Sequence, residues 1–430
     1  MQKIISSEFV NFEYLRVLGT APLQGAEVGE CLEAAKRIKS NDPESWYSAW
    51  SDAAAKSEWI AGTAVRSGDR EAARWAFLRS SNYRRASEFL LHHNPNDPRL
   101  LESTTKSVSN FKKACRLFDS PVHFLEIPYE KNATLPAYLF MPTASSLRPG
   151  KVPVVISTGG FDSIQEELYY FTASGARTRG YATLSFEGPG QGIVARRDKL
   201  RLRPDWEVVV GRVLDWLHTA PNEHPEWNLD MSRVALAGAS MGGYFALRGA
   251  MDPRIAACVS IDGFYDLGAV TRARVSGPLM NAIEKHYLPD GVFNALLGIA
   301  AALSFQNGWE LGHAILATGI MSPVEVMRTW AGYTMALPDG KSRLSQIKCP
   351  VLVAGARDSI YVPLEEDERI YNELVRFEGS DKKHELWIPT GPGQGSLQAK
   401  VAALASLHTK TFGWLDDVFG IKRESLVVDQ

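Results

Sequence analysis

Residues 233–243 read Arg-Val-Ala-Leu-Ala-Gly-Ala-Ser-Met-Gly-Gly, and Tyr244-Phe245-Ala246-Leu247 follow. The apolar run 234–237 ends in Gly238-Ala239-Ser240-Met241-Gly242 and passes straight into a helix-compatible stretch. A G-x-S-x-G string between a buried strand and a helix is a nucleophile elbow. The turn is so tight that the second residue on either side of the serine must be glycine or nearly so. Its strained backbone lifts the Ser240 hydroxyl out of the sheet. Outside that setting the same string is only a glycine-rich turn.

Working outward, short apolar runs at 122–129, 135–141, 152–158, 182–186, 257–261, 351–354 and 385–388 have strand length. Helical segments at 165–179, 206–219 and 244–250 lie between several of them. Strands alternating with helices predict an α/β fold: a mostly parallel sheet covered on both faces, with ligands bound beyond the carboxyl ends of the strands. From about 267 to 344 the rhythm breaks into helical stretches only (277–286, 292–303, 309–318, 323–335), which suggests a helical cap that helps form an apolar pocket. Residues 1–118 read as helical, with segments at 26–40, 44–67, 69–91 and 99–118. Asp42-Pro43 forms a helix start and Gly68 a stop. Trp46, Trp50, Trp59, Trp75, Phe77 and Phe89 give these helices large apolar faces. They are either a tetratricopeptide-like array that binds a partner or a wall of the catalytic pocket. Residues 119–430 form the catalytic domain on this reading.

The 430 residues carry a net charge of −2, with 45% hydrophobic and 22% charged residues, which argues against a basic nucleic-acid footprint. Cys31, Cys115, Cys258 and Cys349 are far apart and read as buried thiols. The polar N-terminus does not look like a signal peptide, no apolar run has bilayer length, and a cytoplasmic location is expected. The Asn132-Ala133-Thr134 sequon then has no consequence. No cluster has metal-ligand spacing, and no cofactor motif is present. The partner expected is a small molecule, with a homodimer left open.

A serine nucleophile needs an oxyanion hole, a base and an acid. The Met241 amide and that of Gly160, in Thr158-Gly159-Gly160-Phe161, are the expected oxyanion donors. Asp358, after the strand 351–354, is the expected acid, with Asp262 as runner-up. The base is missing where it belongs: the loop Pro389-Thr390-Gly391-Pro392-Gly393-Gln394-Gly395 has no histidine. If the final helix starts near Ser396, His408 lies in an apolar stripe with Leu397, Val401, Leu404, Phe412 and Leu415, so it is expected in the core and remote from Ser240. His384 lies at the wrong end of the last strand, and His93, His286 and His313 have nothing local to single them out. Glu187, in Phe186-Glu187-Gly188-Pro189-Gly190-Gln191-Gly192, is a candidate polar contact.

Asn41-Asp42-Pro43-Glu44-Ser45-Trp46-Tyr47, residues 77–89, Gly159-Gly160-Phe161-Asp162-Ser163, the 186–192 motif and the elbow together resemble the α/β-hydrolases that begin with a helical domain. Hydrolases of the 2,6-dihydropseudooxynicotine type and polyketide-shortening hydrolases of fungal pigment pathways belong there. The likeness extends to hydrolases of fungal clusters making fusarins, cytochalasans and pseurotins. It implies an enzyme of fungal secondary metabolism acting around a ring-forming step on a polyketide–amino-acid chain. It also maps the nucleophile to Ser240 and the acid to Asp358, and puts Gln394 near the position of the family's histidine. Two chemistries stay open: serine-dependent hydrolysis or acyl chemistry, and a ring-closing condensation in which the amides hold an enolate.

Overall fold

The computed structural model describes residues 3–426 apart from 131–132, 275–276, 286, 288 and 379–383, so His286 and Asn132 lie outside the described residues. Among the described residues eight strands form one sheet: β1 (Val122–Pro128), β2 (Thr134–Phe140), β3 (Val152–Thr158), β4 (Ala182–Phe186), β5 (Leu229–Ala239), β6 (Ala257–Ile261), β7 (Val351–Ala354) and β8 (Glu385–Trp387). Their spatial order is β1-β2-β4-β3-β5-β6-β7-β8. β2 pairs antiparallel with both β1 and β4, and β3 to β8 pair parallel. The central strands are buried on both faces, as a helix-covered parallel sheet requires.

One apolar core packs helices Trp206–Glu223 and Met241–Gly249 on one face. The other face holds the final helix Leu404–Phe419 together with Leu78, Phe111 and Phe118 from the N-terminal helices. Those helices (Pro43–Ser67, Arg70–Phe89, Arg99–Cys115) therefore share the core of the sheet rather than standing apart. Trp59 and Trp75, expected in the packed faces, are 71% and 42% exposed instead, because the inward stripe is made by Trp46, Trp50, Tyr83 and Phe89.

A helix that the sequence did not single out, Glu8–Leu18, precedes them. It crosses the carboxyl edge of the sheet, where Phe12 packs with Leu397 and Val401 from the far end of the chain. Gly19, just after it, lies so near that a Cβ there would sit 2.8 Å from the Ala402 Cα. Among the described residues the cap helices span Leu267–Arg274, Gly277–Glu284, Asp290–Leu303, Phe305–Thr318 and Pro323–Trp330. Cap and N-terminal layer lock through Trp309, whose indole N–H donates to the Phe89 carbonyl at 2.6 Å. The Trp309 ring stacks on His313, which stacks on His92.

Candidate active site

Ser240 sits between β5 and the helix Met241–Gly249 at φ 58°, ψ −127°. Such a left-handed serine costs roughly 1–3 kcal/mol and persists only where its surroundings over-determine it. Here its N–H donates to the Ile261 carbonyl and its own carbonyl accepts from Gly243, both at 2.8 Å. Gly238 makes the turn sterically feasible, since a Cβ there would lie 2.1 Å from the Gly242 oxygen. Met241 opens the helix, so no preceding turn supplies a carbonyl for its N–H.

The loop after β3 is held from behind. Gln191 donates through Nε2 to the carbonyls of Gly159 and Gly160 at 2.8 Å each, and its Oε1 accepts from Gly188 N–H at 2.9 Å. In a trans peptide the N–H points opposite to the carbonyl. With the Gly159 carbonyl on Gln191, the Gly160 N–H therefore faces the other way. Glu187 is buried and accepts from Gln165 N–H at 3.0 Å and Ile193 N–H at 2.8 Å. Its work is to pin loops; it lines neither of the two cavities beside Ser240.

Those cavities meet at Ser240. One, of about 60 Å³, is lined by Phe12, Glu13, Arg16, Gly160, Gln398 and Tyr361 among others. The second, of about 150 Å³, is lined by Met241, Phe264, Leu267, Trp309, Trp330 and Tyr361 and runs beneath the cap. It adjoins a third of about 390 Å³ between cap helices, through the shared Thr271, Arg274, Glu310 and Trp330.

No histidine lines either Ser240 cavity among the described residues. His408 is buried, and its Nε2–H donates to the Tyr170 carbonyl at 2.9 Å. Tyr170 lies in a wide helical turn, Tyr169–Ala173, whose carbonyls are not all met by ordinary i→i+4 bonds. Burial pushes the His408 pKa down to about 4. The final helix begins at Leu404, not near Ser396, because residues 396–403 form a compact loop with left-handed Ala399, Lys400 and Ala402. His313 donates Nε2–H to the Phe161 carbonyl at 2.9 Å, and burial takes its pKa down to about 3. His93 bonds the Leu90 carbonyl within its own turn, at 3.0 Å. His384 accepts from the Val351 N–H at 3.1 Å at the entry of β7, away from the carboxyl edge.

Of the two glutamines after β8, Gln398 and not Gln394 lines the Ser240 cavity. Gln394 is exposed on a 3₁₀ turn, whereas Gln398 reaches the Ser240 cavity. Ser359 donates to the Gln398 Oε1 at 2.5 Å, and Gln398 Nε2 donates to the Asp262 carbonyl at 3.1 Å. Neither candidate acid reaches the cavity. Asp358 is exposed and accepts from the Ser396 hydroxyl, anchoring the loop after β8. Asp262 is buried with Lys400, Nζ to Oδ1 2.5 Å; burial raises its pKa against the pull of that ammonium. The features missed from sequence are Glu13, Arg16 and Gln398: the first two lie on an unrecognised helix, and Gln398 lies in an irregular loop. No group of His, Cys, Asp and Glu is placed to hold a metal ion among the described residues. In the same residues no helix is long and apolar enough to cross a membrane.

A family profile described as Esterase FrsA-like matches residues 42–286. The 20-hydroxy-prefusarin hydrolase FUS2 of Gibberella moniliformis is 49% identical over 99% of this chain and 100% of that protein. Alpha/beta hydrolase psoB of Aspergillus fumigatus is likewise 49% identical, over 99% and 96%. The crystal structure of the 2,6-dihydroxy-pseudo-oxynicotine hydrolase superposes with a TM-score of 0.68 over 93% of this chain and 95% of that one, at 23% identity, which supports the fold. With the elbow, the sheet order and these relatives together, the chain belongs to the FrsA-like esterase family of α/β-hydrolases and is an enzyme of the serine-hydrolase type.

Proposed function

We propose that the protein is a hydrolase of fungal secondary metabolism that acts through Ser240 on a carbonyl of a polyketide–amino-acid intermediate. The observation that carries this reading is the strained Ser240 at the junction of two cavities, one of which opens under the cap. The relative FUS2 is named for hydrolysis of 20-hydroxy-prefusarin, which supplies the substrate class. Ser240 attacks the carbonyl carbon, and the Met241 and Gly160 amides hold the oxygen as it gains charge. The apolar cavity of about 390 Å³ takes the chain of the substrate. Residues 1–118 serve as pocket wall, since Phe12, Glu13 and Arg16 line the site. Asp358 acts by fastening the 389–403 loop.

Ser240→Ala should abolish turnover, and a fluorophosphonate should label the wild-type protein at Ser240. Retained activity without labelling refutes the nucleophile role. The absence of histidine from the cavity lining favours a second reading among the described residues, a dehydrative ring closure in which the same amides hold an enolate. Product mass separates the two: hydrolysis adds water and dehydrative closure loses it.

A further inference from the structure

The 60 Å³ cavity beside Ser240 has one wall made by the first helix of the chain, and that wall is charged. Glu13 and Arg16 project from it, and Asp162 joins them from the loop after β3. Arg16 is already matched: its Nε donates to Glu167 Oε1 at 2.6 Å, its Nη2 donates to Glu167 Oε2, and Nη2 lies 3.3 Å from Asp162. Arg85 faces the same Glu167 at 3.4 Å. Glu13 receives only long contacts, 3.3 Å from Arg16 Nη1 and 3.4 Å from the Tyr361 hydroxyl. Three carboxyl groups thus meet two guanidinium groups at this site; Glu167 takes the short bonds, and Glu13, the more deeply buried of the two that line the cavity, is held only at 3.3 Å and 3.4 Å.

We infer that Glu13 is the acid–base group of this active site, standing where the chain has no histidine. The inference rests on the reading of Ser240 as nucleophile. In the acyl step the Ser240 Oγ forms a bond to the substrate carbonyl carbon and the π pair moves onto the oxygen. The Oγ proton passes to the Glu13 carboxylate, directly or through one water across a cavity only a few water molecules in size. When the bond to the leaving atom breaks, Glu13 returns the proton to that atom. A water then repeats the sequence on the acyl-enzyme, giving its proton to Glu13 and restoring Ser240.

The environment tunes Glu13 for this. Burial raises its pKa, Arg16 and Arg85 oppose, Asp162 and Glu167 add to it, and the result is about 7. An acid–base group works best with a pKa near the operating pH. The charged and titratable groups facing it are Arg16 on its own helix, Arg85 on Arg70–Phe89, Asp162 and Glu167 beyond β3, and Tyr361 beyond β7. A purely structural Glu13 would need only to neutralise Arg16, which Glu167 and Asp162 already do.

The test uses the full chain and a fluorophosphonate, following the rate at which Ser240 is labelled between pH 5 and 9. Wild-type labelling should rise with a midpoint near 7. Glu13→Gln should label at least about 100-fold more slowly, with no inflection. Glu13→Asp should regain part of the rate and the inflection. Tyr361→Phe, which removes a donor to the carboxylate, should move the midpoint to higher pH. Glu13→Gln labelling at the wild-type rate and midpoint overturns the inference while Ser240 stands. If Glu13→Gln does not fold, an unchanged midpoint in Tyr361→Phe overturns it. A wild-type protein that is never labelled refutes the Ser240 reading instead, and this inference with it.

Discussion

The elbow around Ser240 and the loop after β8 both place strained backbone at the carboxyl edge of the sheet, and they pay for it differently. At the elbow the strain falls on one serine, and Gly238 and Gly242 give the space that makes it tolerable. In the other loop Ala399, Lys400 and Ala402 all have positive φ, at 54°, 57° and 65°, with no glycine among them. That conformation is imposed from outside, by the buried Lys400–Asp262 pair, by Lys400 Nζ to the Gly355 carbonyl at 2.9 Å, and by Phe12 against Leu397 and Val401. One site is specified locally by residue type. The other is specified by contacts that arrive from three distant parts of the chain.

The contrast breaks most visibly at Gly238. Gly238→Ala puts a Cβ on the Gly242 oxygen, and chemical denaturation should show a loss of roughly 5 kcal/mol, since only backbone movement relieves it. Lys400→Met should cost about 3–5 kcal/mol by the same measurement, because it leaves Asp262 buried beside Asp367 without its cation. A neutral result would mean that the second loop, like the first, is held by local preference.

His408→Asn tests a smaller support of the same edge. Losing the bond to Tyr170 should lower stability by about 1–3 kcal/mol while activity per folded molecule survives. Its pH signature has a definite sign. The folded pKa, about 4, lies below the ordinary 6.5, so the unfolded chain binds the extra proton and stability is lost as pH falls from 6.5 towards 4. Thermal melts of His408→Asn should lose less across that window than the wild type does. The smallest effect should be a gain: Ala402→Gly relieves an exposed left-handed alanine and should stabilise by about 0.5–1 kcal/mol.

The same contrast explains what could be read from the chain. Strands β3, β4, β6 and β7 have the bounds that their apolar runs suggest, because a strand covered on both faces writes itself as an unbroken hydrophobic segment. The elbow is legible because glycine marks it. The helix Glu8–Leu18 was not, since Asn11, Glu13 and Arg16 are buried along with Phe9, Val10 and Phe12, and no polar face emerges at helical spacing. Gln398 was hidden for a related reason: alanine and lysine at positive φ carry no signal, so the loop looked like the start of a helix.

The contact of Phe12 and Gly19 with residues 397–402 also sets an order in time. Residues 8–18 are translated roughly 380 residues before the surface that receives them, which at about 5–20 residues per second is a wait of roughly 20–80 s. During that interval Phe9 and Val17 can pack on the N-terminal helices, but Phe12 lacks its partners Leu397 and Val401. A segment translated early is thus among the last to settle, and a chain arrested before residue 397 carries an elbow but no closed pocket.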